Sequence, residues 1–483
     1  MSIYEKYKPT IGLEVHIQML TKSKAYSSDI NEYGALPNTN VSPITLGHPG
    51  TLPKANKKVI EYAVKLGIAV KGNIRKRNEY ARKNYFYADL PKGYQITQDT
   101  TPIITGGHID IQGDDGKVRG INLTRIHMEE DAGKSIHNQD PYDSLIDLNR
   151  AGVPLLEIVS EPEIKSSQEA YNFLTEVRKL VRYLEICDGN MEEGSLRCDA
   201  NVSVNLKEAS EFGRKVEVKN MNSIRNVQRA IEFEIKRQID AIEKGEEIPQ
   251  ETRGFDAVAG ITKSQRTKEA ANDYRYFPEP DLLPVIVSQD YIEEVKATMP
   301  PLPNDLFRKY TREFGLSEYD AQILTDSKEI ALYFEEVVNH TKAYKQAANW
   351  MMGAIKSYLN ENALHIHQFP LKPEAVAALI DLVQDNKVSS SMANQKLFPA
   401  LIEQPDASPL KLAEELNIIQ DSSTDSIEPI IDEVLAQFPD KVEAYRSGKK
   451  GLLGMFMGEV MKRSKGKADP KTTNQLLQKK LDA

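Results

Sequence analysis

Cysteine is nearly absent: the 483 residues hold two, Cys187 and Cys198, with no CxxC spacing and no second ligand pair. A disulfide framework and a structural zinc site are thereby excluded, and both thiols are expected to be reduced and buried. No apolar run approaches the roughly 18 residues that span a bilayer, and Met1-Ser2-Ile3-Tyr4-Glu5-Lys6 has no basic segment leading into an apolar one. The expectation is a soluble, cytoplasmic chain with no membrane partner and no secretory signal. Low-complexity tracts are missing as well; 40% hydrophobic and 28% charged residues mark a globular protein, and the length calls for more than one domain. Two catalytic signatures are also lacking. Ala132-Gly133-Lys134-Ser135 ends like a P-loop, but Met128 stands where the first glycine belongs, so a Walker-type nucleotide site is ruled out. There is no Gly/Ser-rich Ser-Lys amidase signature and no cysteine in a nucleophile setting, so the chain is not expected to release ammonia from glutamine by itself.

What is present is unevenly organised. To about residue 297, short period-2 segments alternate with Gly, Pro, Asn and Asp, the pattern of a β-rich α+β domain. Two helices interrupt it. Ser166-x-x-Glu169 resembles a capping box ahead of Tyr171, Leu174, Val177, Val181 and Leu184 at helical spacing, and Ile224, Val227, Ile231, Ile235 and Ile239 mark the second. Met299-Pro300-Pro301-Leu302-Pro303 punctuates the chain and places a boundary near 298. An all-α helical domain over 298–407 and a small all-α tail domain over 408–483 are expected to follow. The net charge of −9 is uneven too: from Arg446 to Lys480 ten Lys/Arg face only Glu459 and Asp469, a local +8 that leaves −17 elsewhere. A basic tail is a candidate surface for an anionic partner, the alternative being a solvated helical face.

Four segments carry the chemistry. In Ile11 to Gln18, strand alternation puts Leu13, Val15 and Ile17 on one face and Glu14, His16 and Gln18 on the other. Leu123 to Asp131 likewise aligns Arg125, His127 and Glu129 and ends in three consecutive acids, which repel unless a cation neutralises them. Leu196 to Val204 sets Arg197, Asp199, Asn201 and Ser203 opposite a complete apolar face, and Val216 and Val218 alternate with Lys215, Glu217 and Lys219. Each face alone could simply meet solvent. Together they concentrate His, Asp, Asn, Arg and clustered acids, the types that hard cations and phosphates select, in a set that suits Mg²⁺ or Mn²⁺ better than zinc. Ala81-Arg82-Lys83-Asn84-Tyr85-Phe86-Tyr87 and Leu90-Pro91-Lys92-Gly93-Tyr94-Gln95 interleave cations with aromatics, a mixture suited to phosphate contact and base stacking, or to a packed aromatic strand.

The segments IGLEVHIQ at 11–18, ARKNYFYADLPKGYQITQ at 81–98, LTRIHMEEDAGKS at 123–135, EGSLRCDANVS at 193–203, KNMNS at 219–223 and DYRYFPEPDL at 273–282 resemble the B-subunit family of bacterial tRNA-dependent amidotransferases. The resemblance covers essentially the whole chain and is strongest before residue 300. It implies a cradle-shaped catalytic domain, a helical domain and a small tail domain. It implies a ligase subunit that uses ATP and Mg²⁺ to phosphorylate the side-chain carboxylate of Glu-tRNA(Gln) or Asp-tRNA(Asn). An amidase A subunit would supply ammonia through an internal channel, and a small C subunit would clasp the heterotrimer. Carried onto this chain, Glu14 and His16 match the metal-binding strand, Glu129 and Glu130 the acidic pair, and Asp199 is an added metal ligand. Arg82, Lys83 and Lys219 are candidates for ATP or acyl-phosphate contact. Tyr85, Lys92 and Tyr94 are candidates for the ammonia path. Lys449, Lys450, Lys462, Arg463, Lys465 and Lys467 are candidates for tRNA backbone contact.

Overall fold

Alternation of apolar and polar residues along Tyr7–Gln18 builds the central strand, β1. Ile11, Leu13, Val15 and Ile17 are at most 1% exposed, and the residues between them turn to the opposite face. The computed structural model describes residues 3–137, 139–267, 274–420, 424–464 and 466–482, so Asp273 and Lys465 lie outside the described residues. It divides into two units, Met1–Leu302 and Pro303–Ala483.

In the first unit β1 pairs antiparallel with two strands distant in sequence. On one side lies β3 (Pro154–Ser160), which in turn pairs with β2 (Val118–Glu130). On the other lies β4 (Leu196–Leu206), followed by β5 (Val216–Lys219). Among the described residues the sheet has ten strands; it continues past β5 through Glu251–Asp256, which pairs parallel, to Ile261–Thr267. Helices supply the other half of the core, among them Lys57–Ala69, which the sequence reading did not mark and which contributes Val59, Ala63, Val64 and Leu66. In α1 (Ser167–Tyr183), Phe173, Leu174, Val177 and Val181 join the sheet's apolar face; in α2 (Ile224–Glu243), Val227, Ala230 and Ile231 do so. Both starts are capped, Ser166 as the sequence suggests, its Oγ accepting from Glu169 N at 3.0 Å, and Ser223, whose Oγ accepts from Asn226 N at 3.1 Å. The capping box is altered, however: the Glu169 carboxylate accepts from Lys165 N and binds Arg119, so an ion pair replaces the usual return bond to the cap residue.

The second unit is helical from Pro303 onward, which makes the whole chain α+β. Serines cap its early helices, Ser317 ahead of Glu318–Leu324 and Ser327 ahead of Lys328–His340. Its last segment gathers Ile427, Ile431, Val434, Tyr445, Phe456, Val460, Leu477 and Leu481 into their own apolar cluster. That cluster supports our proposal that the tail is a module of its own. No helix of the described residues is long and apolar enough to cross a membrane. Both cysteines are free and buried, and burial pushes their thiols up, so neither is poised for reaction.

One ion pair makes the helical unit sensitive to acid. Asp320 meets Lys345 Nζ, which together with the Ser317 cap holds its carboxyl below its ordinary value of 3.8. A carboxyl depressed by folding adds stability above that value and loses it as the pH falls through the folded one. Asp320→Asn should therefore cost about 1 kcal/mol at neutral pH, and calorimetric melts of variant and wild type should converge below the ordinary carboxylate range. An equal gap at both pH values would refute the assignment.

Candidate metal and phosphate site

Register decides which polar residues meet. His16 on β1 faces Arg197 on β4 and Glu157 on β3, and Glu157 faces His127 on β2, so one row crosses four strands: Arg197, His16, Glu157, His127. Glu14 stands one step along β1 opposite Asp199, and Glu129 one step along β2 opposite Leu155. Every one of these residues sits on the face away from the apolar core, because alternate residues of a strand share a side.

The row closes into a compact cluster. His16 Nε2 lies 3.4 Å from Glu129 Oε1 and 3.3 Å from Glu157 Oε2; His127 Nε2 lies 3.6 Å from Glu129 Oε2 and 3.3 Å from Glu157 Oε2. Direct N–H···O bonds run at about 2.7–3.2 Å, so these groups converge without closing on one another. Two sets of donors, Glu14 with His16 and Glu157, and His127 with Glu129 and Glu157, each have ligand atoms within 4.8 Å of one another. Among the described residues, the buried His127 Nδ1 finds no hydrogen-bond partner, which leaves Nε2 as the working nitrogen. Carboxylates from three strands and two imidazoles around one space fit a hard or borderline divalent cation.

The electrostatics are those of a site that expects positive charge. Burial raises the Glu14 carboxyl, and the charge of Glu157 raises it further. Burial works against the ionised form of Glu157 as well, yet contacts with His127 and His16 hold it well below the usual carboxylate range. The imidazoles respond in kind: burial pulls His127 down, but Glu129 and Glu157 outweigh it and lift the group to about 9, and His16 is raised by the same two carboxylates. A bound cation would take over the role of these protons.

A cavity of about 220 Å³ opens on the cluster, lined by Glu14, His16, Glu129, Glu157 and Asp199 together with Lys83, Tyr85, Arg197 and Lys219. Lys219 Nζ binds Asp199 at 2.7 Å and lies 3.3 Å from Glu217. Asp199 thus lines the cavity as half of an ion pair and stands outside the two donor sets. Lys83 Nζ sits 4.8 Å from the Tyr274 ring centre. Asp131 closes one side, its Oδ2 accepting from Gln18 Nε2 and Arg197 Nη1, each at 2.8 Å.

Two residues expected here are held elsewhere. Glu130 follows Glu129 on a strand and so points to the opposite face. There, 3% exposed, it binds Lys92 Nζ and accepts from Ile96 N at 2.9 Å, beside a separate cavity of about 60 Å³ lined also by Tyr26 and Tyr94. Lys92, rather than a shared metal, neutralises it. Arg82 is clamped by Glu279 through Nε and Nη2, at 2.6 and 2.9 Å, and stacks 4.2 Å over the Tyr94 ring, which ties Phe277–Pro278 to Ala81–Asn84 and keeps the guanidinium out of the larger cavity. The three ammonia-path candidates divide between the spaces, Tyr85 at the larger and Lys92 and Tyr94 at the smaller.

Sequence reasoning missed Glu157 entirely and noticed His127 without choosing it. A signal for Glu157 was present: Pro154-Leu155-Leu156-Glu157-Ile158-Val159 carries a single charge inside an otherwise apolar strand, and such a charge is rarely buried unless something pairs it. The P-loop-like Gly133 is no phosphate cradle. It leads into the strand Lys134–Ile136, and a Cβ there would come within 2.9 Å of Asp89 O and 3.0 Å of Asp147 O.

An open sheet face that gathers carboxylates, imidazoles and cations beneath one cavity, followed by a helical unit, is the framework of an enzyme subunit. Residues 9–293 match the GatB/GatE catalytic domain and residues 332–481 the GatB domain. The chain is 48% identical over 478 residues to the B subunit of the aspartyl/glutamyl-tRNA(Asn/Gln) amidotransferase of Halorhodospira halophila, covering 99% of each protein. It is 49% identical over 480 residues to the protein of the same name from Geotalea uraniireducens, covering 99% of this chain and 100% of that one. This chain belongs to the family of aspartyl/glutamyl-tRNA(Asn/Gln) amidotransferase B subunits.

Proposed function

We propose that this chain is the carboxylate-activating component of a glutamine-hydrolysing ligase, converting Glu-tRNA(Gln), Asp-tRNA(Asn) or both to the corresponding amides. The observation that carries the reading is the convergence of Glu14, His16, His127, Glu129 and Glu157 beneath a cavity that also holds Lys83 and Lys219. A carboxylate is a poor acyl donor because oxide would have to leave. One oxygen of the substrate carboxylate attacks the γ-phosphorus of ATP, the bond to the β,γ-bridging oxygen breaks, and ADP departs with the electron pair. Ammonia then attacks the acyl carbon, inorganic phosphate leaves, and the nitrogen gives up a proton.

Glu14, His16, Glu129, His127 and Glu157 would hold Mg²⁺, which when bound offsets the charge of the phosphate oxygens. Lys83 and Lys219 bring further positive charge to two anionic reactants and hold them in line. Tyr85, Lys92 and Tyr94 line the way for ammonia, which would come from an amidase A subunit in a heterotrimer completed by a small C subunit. The relatives are each named as the B component of an amidotransferase, which supports an assembly of several chains. In the tail, Lys449 and Lys462 are exposed and have no ion pair among the described residues, which suits phosphate contact. Three of the other candidates are engaged: Lys450 binds Asp482, Arg463 meets Glu433 at 3.5 Å, and Lys467 meets Asn417.

The test is ATP hydrolysis by the assembled enzyme with and without each mischarged tRNA. Stimulation by Glu-tRNA(Gln) or Asp-tRNA(Asn) is expected, and its absence with both refutes the reading. Lys449→Ala combined with Lys462→Ala should raise KM for tRNA about tenfold at unchanged kcat and flatten the salt dependence by about two phosphate contacts. An unaltered salt slope would assign those cations to solvent.

A further inference from the structure

Arg197 is anchored differently from three other carboxylate-binding arginines of the sheet unit. Arg82 on Glu279, Arg119 on Glu169 and Arg237 on Glu234 each present two nitrogens to one carboxylate, the bidentate fork of a structural ion pair. Arg197 gives Asp131 only Nη1, at 2.8 Å, and the accepting Oδ2 is shared with Gln18 Nε2. Among the described residues this is the single hydrogen bond of the Arg197 side chain, although a guanidinium offers a whole fork of donors. The side chain is 31% exposed, stands beside His16 in register and lines the same cavity as the carboxylate and imidazole cluster.

The anchor itself is rigid. Asp131 is 6% exposed, and its backbone is bonded on both sides, N to Val153 O at 2.8 Å and O to Gly152 N at 2.9 Å. Arg150 braces it from behind, with Nε 3.6 Å from Asp131 Oδ2 and further bonds to the carbonyls of Ala132 and Gly133. Such an acid is fixed in place and can aim whatever it holds. The other two cations of the cavity are a flexible lysine over an aromatic ring, Lys83, and a lysine already shared by Asp199 and Glu217, Lys219. Neither offers a planar fork.

We propose that Arg197, aimed by Asp131 and Gln18, binds the oxygens of the phosphoryl group in transfer, so that Arg197 is a catalytic residue and Asp131 a positioning residue. The proposal rests on the carboxylate-kinase reading above and names the residue that handles the charge during P–O bond exchange. A guanidinium placed at a transferring phosphoryl group contributes about 10³-fold or more to turnover. Its free N–H edge would be satisfied only when the phosphate is present, which puts the effect on kcat more than on KM.

The experiment compares wild type, Arg197→Lys, Arg197→Ala, Asp131→Asn and the Arg197→Ala/Asp131→Asn double variant in the assembled enzyme. It measures tRNA-dependent ATP hydrolysis, and Mn²⁺ binding by electron paramagnetic resonance reports on the integrity of the cluster. Arg197→Ala should lose about 10³-fold in kcat with Mn²⁺ affinity within about threefold of wild type. Added guanidinium ion should restore part of the loss, and Arg197→Lys should fall between. Asp131→Asn should lower kcat, and the double variant should be no slower than Arg197→Ala alone, because the acid acts through the arginine. An active wild type whose Arg197→Ala keeps its kcat overturns the proposal. So does a variant that raises KM for tRNA tenfold at unchanged kcat, which would make Arg197 a contact of the substrate carboxylate. Loss of Mn²⁺ binding in both Arg197 variants overturns it as well, since the role would then be structural. A wild type without tRNA-dependent hydrolysis removes the kinase reading itself, an outcome visible before any variant is made.

Discussion

Glu157→Gln should weaken Mn²⁺ or Mg²⁺ binding by at least about 100-fold and reduce tRNA-dependent ATP hydrolysis by about 10³-fold, the largest effect expected of any single isosteric change in this chain. Glu157 is the one residue common to both sets of converging donors, and its Oε2 lies 3.3 Å from each imidazole. The carboxylate is held ionised against its own burial by those two rings. An amide of the same shape supplies one neutral acceptor in place of a charge, so the cation loses its shared ligand and the two imidazoles lose the group that orients them. The strand should survive, because Leu155, Leu156 and Ile158 still bury the rest of it. Circular dichroism should therefore be unchanged while a Mn²⁺ titration followed by electron paramagnetic resonance shows mostly free ion. Wild-type affinity in the variant would mean that the cluster is an internal charge network and that the cation binds elsewhere.

That Glu157 has to be learned from the structure, whereas His16 does not, has a physical cause. Alternation along a strand tells which residues share a face, and it correctly put Glu14 with His16 and Arg197 with Asp199. It does not tell which strand lies alongside. The spatial order here, β4 beside β1 beside β3 beside β2, joins β1 to two strands more than a hundred residues away, and the row Arg197, His16, Glu157, His127 exists only once that order is set. The α+β class and the helices Ser167–Tyr183 and Ile224–Glu243 were legible because period and capping are local: Ser166 stands where the first begins, and isoleucine and valine at helical spacing mark the second, whereas Lys57–Ala69 went unmarked. Family resemblance carried the chemistry that periodicity could not. Arg82 shows the limit of composition, since a cation among aromatics suggests a ligand contact, yet its fork is taken by Glu279 from a segment nearly two hundred residues away.

Glu129→Gln and Glu130→Gln, adjacent in sequence and identical in chemistry, should fail in different ways. Glu129 faces both imidazoles across the larger cavity, so its amide should cost Mn²⁺ affinity and ATP hydrolysis together, by about 10²-fold or more. Glu130 faces the other side of the strand, and its amide should leave Mn²⁺ affinity within about threefold of wild type, a difference worth under about 1 kcal/mol. Its cost lies in the pair it breaks. Lys92 is almost fully buried against Glu130, and a buried cation left without its acid destabilises a fold by about 3–5 kcal/mol. The melting temperature should fall accordingly, and Glu130→Gln combined with Lys92→Met should recover part of the loss by removing the stranded charge. If Lys92 and Tyr94 line the way for ammonia, Glu130→Gln should also hydrolyse ATP at near the wild-type rate while forming less amide per ATP consumed, because activated carboxyl groups wait for a nucleophile and are lost to water. Should Glu130→Gln instead abolish Mn²⁺ binding as Glu129→Gln does, the two carboxylates would have to serve one site, and β2 would have to be rearranged in the working enzyme so that consecutive residues reach the same cation.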